Sequence, residues 1–329
     1  MFASERAAPG GRISRRLQNV VMTKACEIAP DLAWIRTSIS NVYLIGNRQG
    51  WILADTGVVG YADTIRQAAE DRFGADTGPN AIVLTHGHYD HSAGALELAK
   101  HWNVPVYAHV LEFPYLTGQS AYPRKDPTVG GAMGFLSRFF PSRTINIGEV
   151  LQDLPLSGEV PGVDGWMTVF TPGHAPGHVC FWREADGALV AGDAMATADL
   201  DSWYGLVSQK QRISRPGSPF TYDWGQARAS VRALADLRPK LLACGHGEPI
   251  VGAHVAAELE QFAQTFTPPA HGRYVVAPAE ANEHGVVYEP PAPPDHLPKI
   301  AAGLVAGVFL MAGVFFSKRG KRALPTAGD

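Results

Sequence analysis

Cysteine is scarce in this chain. Cys26, Cys180 and Cys244 are the three present, an odd number without C-x-x-C spacing. That excludes a disulfide framework and a structural zinc knuckle, and leaves buried reduced thiols as the expectation. Long basic runs are absent from the first 295 residues, and the formal net charge is -3. The chain therefore carries no electrostatic footprint for a nucleic-acid backbone, and no nucleic-acid partner is expected. No continuous apolar segment follows Arg6, Arg12, Arg15 and Arg16, so residues 1–25 read as a flexible solvated arm and not as a secretory signal. No short-period repeat is found.

Apolar residues make up 46 % of the 329 residues and charged residues 18 %, a balance that supports a sizeable core. One large domain over 26–266 with appendages fits that length. Short β-type runs at 41–45, 51–54, 81–84, 104–107, 167–170, 179–182, 188–191 and 241–243 alternate with helical spacing at 64–73, 93–102 and 226–237, giving an α/β class. Residues 112–165 and 197–224 break this rhythm with scattered Pro, Gly and aromatics, the pattern of binding loops. Residues 267–298 are rich in proline and read as a stiff extended linker, with a small hairpin formed by 274–276 and 286–288. After it, Ile300 to Phe316 is seventeen residues without a polar side chain, followed by Lys318, Arg319, Lys321 and Arg322.

As a helix that run would span roughly 26 Å against a hydrocarbon core of ~30 Å. Residues 299–317 are therefore expected to form a transmembrane or membrane-associated helix, and 318–329 a basic tail. Gly303 and Gly307 form a G-x-x-x-G pair that would let two such helices approach, which makes a homodimer one expectation. The basic tail favours a cytoplasmic C-terminus, whereas the lack of a signal favours a cytoplasmic domain. The expectation is a membrane-associated protein whose main domain faces the cytoplasm.

The densest chemistry lies in Thr85-His86-Gly87-His88-Tyr89-Asp90-His91, three imidazoles and a carboxylate within six residues after an apolar run. Packing does not account for four such groups, and imidazole with carboxylate suits Zn2+, with Fe or Mn as alternatives. The segment resembles the H-x-H-x-D-H signature of the metallo-β-lactamase superfamily. Thr171-Pro172-Gly173-His174, Gly192-Asp193 and Gly245-His246-Gly247 extend the resemblance over roughly residues 30–265. It implies a four-layer αββα sandwich, here with a C-terminal apolar helix added. It further implies that His86, His88 and His174 hold one metal ion, that Asp90, His91 and His246 hold a second, and that Asp193 bridges both. Seven candidate groups exceed what one ion accepts, which agrees with two divalent ions.

Such a pair can share a hydroxide and polarise a carbonyl, with Asp90 handling protons. A bridging Asp193 resembles the glyoxalase II and lactonase branch more than the true β-lactamases. The expected function is cleavage of an acyl ester, thioester or lactone in a small molecule. Phosphodiester hydrolysis and a noncatalytic membrane-tethered module are the alternatives. Tyr115, Trp203 and Tyr204 are the expected substrate contacts. His178 is expected to support the site without joining it, and Arg124, Lys125, Lys210 and Arg212 are the cations that an anionic leaving group would require.

Overall fold

Alternation along the first strands decides how the layers stack. A computed structural model describes residues 24–295 apart from positions 76, 141, 142 and 144. Seven strands form the first sheet in chain order: β1 (Cys26–Ala29), β2 (Leu32–Arg36), β3 (Asn41–Asn47), β4 (Gly50–Ala54), β5 (Ala81–Val83), β6 (Val106–Ala108) and β7 (Leu151–Asp153). Neighbours are antiparallel up to β4 and parallel from β4 to β7. Within β2 and β3, Ala33, Ile35, Val42 and Leu44 pack with Ile65, Phe73 and Leu98 of the helices Ala62–Phe73 and Ala95–Trp102. Leu32, Trp34, Tyr43 and Ile45 point the other way, into a cluster with Phe181, Val190 and Ala243 of the second sheet. Period-two side-chain direction thus gives each strand two buried faces.

The second sheet begins with β8 (Met167–Phe170), β9 (Val179–Arg183) and β10 (Ala188–Gly192). After the small pair β11 (Ala196–Ala198) and β12 (Gln211–Ser214), it is completed by β13 (Leu241–Cys244) and β14 (Ile250–Val251), in the order β14-β13-β10-β9-β8. Its far face, with Leu189, Ala191, Leu242 and Cys244, packs on Val231, Leu234, Val255 and Leu259 of the helices Trp224–Asp236 and Val255–Thr265. Three apolar clusters separate helices, sheet, sheet and helices, which is consistent with the α/β architecture expected from the motifs. Cys26, Cys180 and Cys244 are all free. Burial pushes the Cys180 thiol up to about 12, so it stays protonated and packs as a small apolar side chain.

Several elements differ from the sequence-based expectation. Strand β7 lies inside the stretch expected to be irregular. It is only Leu-Gln-Asp with two exposed positions, too short and too polar to show a period. The extended linker gives way to packed structure over residues 273–289: a short helix Arg273–Val276, then β15 (Glu280–Asn282) paired with β16 (Gly285–Tyr288). Tyr274 therefore sits in a helix and not in the expected hairpin. Its ring is buried, and its hydroxyl donates to Arg124 O at 2.7 Å. Buried aromatic surface and this bond fasten the segment to the loop region, which a solvated linker could not do. The N-terminal arm up to residue 23, His296, the apolar run 300–316 and the basic tail lie outside the described residues. Among the described residues, no helix is long and apolar enough to cross a membrane.

Candidate metal centre

Four strand ends meet at one edge of the two sheets. The parallel strand β5 runs into Thr85 and His86. Strand β8 runs into Thr171 and the turn that carries His174. The parallel pair β10 and β13, in register at Gly192 and Cys244, releases Asp193 and His246 side by side. Asn41 locks this edge: its backbone N–H donates to Gly245 O at 2.8 Å, and its side chain donates to Cys244 O and Gly247 O. Functional groups on strand ends inherit the rigidity of both sheets.

All seven expected ligand residues come together. His86 Nε2 lies 3.0 Å from His88 Nδ1, which lies 2.9 Å from His174 Nε2. His246 Nε2 lies 3.4 Å from Asp90 Oδ2, and His91 Nε2 3.7 Å from the same oxygen. Asp193 stands between the two groups. Its Oδ1 is 3.5 Å from His91 Nε2, while Oδ2 is 3.1 Å from His246 Nε2 and 3.4 Å from His174 Nε2. Three ligand sets, His86/His88/His174, His86/His91/Asp193 and Asp90/His91/His246, each keep their donor atoms within 4.8 Å of one another.

Hydrogen bonds on the far side of the rings fix which nitrogen faces the centre. Thr85 Oγ1 donates to Asp55 Oδ2 and so accepts from His86 Nδ1 at 3.1 Å. Thr221 Oγ1 donates to Gly217 O and so accepts from His174 Nδ1 at 3.2 Å. His91 Nδ1 donates to Asp55 Oδ2, and His246 Nδ1 to Ile39 O, at 2.8 and 2.7 Å. In the neutral ring each of these four histidines then presents an unprotonated Nε2 inward, the form a metal needs. His88 Nδ1 could donate to only one of its two neighbouring lone pairs. His91 Nε2 and Asp193 Oδ1 are buried without any hydrogen-bond partner. Such orphaned atoms are costly unless a cation satisfies them, so the donor set fits two metal ions.

Electrostatics divides the centre. Burial holds the His86 and His174 imidazoles well below their ordinary range and His88 at about 4, so this trio is neutral near pH 7. At His91 burial acts downward, but the carboxylates of Asp193, Asp90 and Asp55 outweigh it and raise the group to about 10. His246 rises to about 9 for the same reason, against burial, through Asp193 and Asp90. Burial would raise Asp193, yet the imidazoles of His246, His91 and His174 keep it well below the carboxylate range. Without metal, the second group holds protons where the ion would sit.

His178 supports the site as expected. Its Nε2 accepts from Asp193 N at 2.9 Å, which uses the lone pair a metal would need and fixes the backbone of the bridging carboxylate. Three supporting residues were missed by sequence reasoning. Asp55 adopts φ 59° and holds both Thr85 and His91. Glu112 is fully buried and accepts from Gly87 N at 2.7 Å and Gly177 N at 2.6 Å. Tyr122 donates to Glu112, accepts from Gly87 N, and sets its ring 4.4 Å from that of His88. A lone acid and a lone tyrosine in an aromatic stretch give no sequence signal.

The expected substrate contacts separate. Tyr115 is only 3 % exposed and stacks behind Tyr122 at 4.0 Å, away from the cleft. Trp203 and Tyr204 are exposed on the helix Trp203–Ser208, with Trp203 5.9 Å from Phe135. Of the candidate cations, Arg124 pairs with Glu289 and Arg212 lies 3.5 Å from Asp199. A cavity of about 410 Å3 is lined by Arg36, Ser38, Leu206, Val207, Gln209 and Glu248 among others, none of them a candidate ligand.

Comparison with known proteins agrees with this geometry. The family model described as the metallo-β-lactamase superfamily matches residues 35–246. A probable metallo-hydrolase of Bacillus subtilis, YflN, is 39 % identical over 72 % of this chain and 91 % of its own length. A hydroxyacylglutathione hydrolase of Acidiphilium cryptum is 25 % identical over 68 % of this chain and 74 % of its own. The crystal structure of a beta-lactamase domain protein from Burkholderia ambifaria superposes with a TM-score of 0.51 at 20 % identity, covering 76 % of this chain and 78 % of that one.

Proposed function

This chain belongs to the metallo-β-lactamase superfamily of metallo-hydrolases, and on that premise we propose that it hydrolyses an acyl ester, thioester or lactone of a small molecule. The observation that carries the reading is the division of Asp193: Oδ1 faces His91, and Oδ2 faces His174 and His246. That arrangement supports a two-ion site, with His86, His88, His174 and Asp193 around one ion and Asp90, His91, His246 and Asp193 around the other.

Two divalent ions bound there, Zn2+ or else Fe or Mn, supply an acidified water and a Lewis acid for the acyl carbonyl. The chain's own groups do the rest. Asp55, Thr85, Thr221 and Ile39 O hold the imidazoles in the ligating tautomer. Asp90, the most exposed carboxylate of the centre with 23 % of its side chain accessible, would take a proton from the attacking water and return it to the leaving atom. The name hydroxyacylglutathione hydrolase carried by one relative favours acyl cleavage.

The apolar run 300–316 and the basic residues that follow it support tethering to a membrane surface. Purified protein offered a short thioester, a lactone and bis-p-nitrophenyl phosphate is the test. Turnover of the acyl substrates at rates well above the phosphodiester supports the reading; the reverse order assigns phosphodiester hydrolysis instead.

A further inference from the structure

A file of aromatic rings leads from the metal centre to open surface. Phe220 stands 6.2 Å from the His88 ring and stacks with Phe140 at 6.2 Å. Beside Phe140, Phe139 is 70 % exposed and lies 5.7 Å from Phe135, which in turn lies 5.9 Å from Trp203. One turn along the same helix, Val207 is 84 % exposed. Soluble surfaces rarely leave a group of large apolar side chains uncovered together, and such groups mark contact sites.

The path of the chain names the contact. Arg138, in the turn between Phe135 and Phe139, places its guanidinium 5.9 Å from the centre of the Phe135 ring and donates to both carboxylate oxygens of Asp295, at 3.0 and 3.1 Å. Asp295 is the last described residue and lies at the base of the aromatic rim. Ile300 is five residues further on, at most about 18 Å away even when fully extended. The first residue of the seventeen-residue apolar run is therefore covalently held within that reach of the rim. A rim of five or six side chains could cover one side of that run and would leave the others in water; a lipid surface takes both. Basic groups suited to headgroups accompany both: Arg143 is exposed beside Tyr89 near the centre, and Lys318, Arg319, Lys321 and Arg322 follow the run in the sequence.

We propose that Phe135, Phe139, Phe140, Trp203 and Val207 form a lipid-contacting surface that turns the mouth of the metal centre toward a phospholipid bilayer. The proposal rests on the membrane reading of residues 300–316 and adds to it a second, independent contact and an orientation. The apolar file from rim to His88 then suits a substrate whose acyl chain enters from the lipid side.

Co-sedimentation with vesicles of phosphatidylcholine containing phosphatidylglycerol tests this on the full chain. Wild type is compared with Phe139→Glu/Val207→Glu on the rim, with Leu304→Glu/Phe309→Glu in the run, and with all four changes. Unchanged thermal unfolding and metal content show that each variant is folded. Wild type should bind, the rim pair should weaken binding about tenfold or more, and the fourfold variant should not bind. A rim pair that binds like wild type overturns the lipid-contacting rim and leaves the tether standing. A run pair that binds as tightly as wild type overturns the tether alone. Wild type that fails to bind, or that forms a dimer which the rim pair dissolves, overturns the proposal and assigns the rim to protein contact.

Discussion

Asp55 Oδ2 accepts the Nδ1 proton of His91 at 2.8 Å, and the same carboxylate holds Thr85 through its backbone N–H and its hydroxyl. One residue just after β4 thereby sets the tautomer of one expected ligand, His91, and holds Thr85, the neighbour of another, His86. Asp55→Asn keeps the size and tolerates the left-handed φ of 59°, but it loses the carboxylate that orients the ring. Affinity for the ion at Asp90, His91 and His246 should fall about 10- to 100-fold, with the His86 group much less affected. Stepwise metal titration followed by calorimetry separates the two; equal weakening of both sites would contradict the assignment.

Glu112 joins the two ligand-bearing turns by accepting from Gly87 and Gly177. Glu112→Ala would leave the buried Gly177 N–H unpaired, at about 1–3 kcal/mol, and would take from Gly87 N–H one of its two acceptors, Tyr122 remaining. Glu112→Gln keeps one good acceptor and should cost less. Unfolding midpoints should therefore fall in the order wild type, Gln, Ala, and metal affinity should fall in the same order. An Ala variant as stable as wild type would mean the carboxylate does not hold the turns.

Gly245 precedes His246, and a Cβ there would collide with Asp193 Oδ1 and come within 2.6 Å of His91 Cε1. Both atoms belong to rigid groups of the centre. Gly245→Ala should lose the second metal equivalent and most activity. Normal stoichiometry in that variant would show that the bridge can shift.

Acidity should act on the metal-free chain from both sides. His88 and His178 are held at about 4 and about 3, chiefly by burial, so below the ordinary 6.5 the unfolded chain binds more protons and stability falls as pH drops. At His91 and His246 burial is outweighed by carboxylates, and the groups rise to about 10 and about 9. Between 6.5 and those values the folded chain holds protons that the unfolded chain has lost, so stability falls as pH climbs. Unfolding midpoints of metal-free protein should peak near pH 6.5. Metal must displace the same protons, so affinity at the second group should rise with pH up to about 10, by about tenfold per unit for each proton released. A pH-independent affinity would contradict the protonation pattern.

The ligands were legible in the sequence because short-range spacing carries them: His86, His88, Asp90 and His91 sit within six residues, and each distant partner follows an apolar run that proves to be a strand. The supporting groups were not. Asp55, Glu112 and Tyr122 act through contacts made only after the sheets close, and each is a single polar residue in a segment without period. Tyr115 looked like a cleft residue because composition shows an aromatic but not which way it faces; stacking on Tyr122 turns it inward. The packing of residues 273–289 was hidden by proline content, which signals an extended chain but not the burial of Tyr274.

Metal content measured together with hydrolysis of a short thioester, in wild type, His88→Ala and Asp193→Ala, tests the central claim most directly. The account predicts about two ions per chain and turnover in wild type, sharp loss of both in Asp193→Ala, loss of activity with depleted first-site metal in His88→Ala, and recovery of chelated wild type on adding metal. Full activity in metal-depleted protein would contradict it.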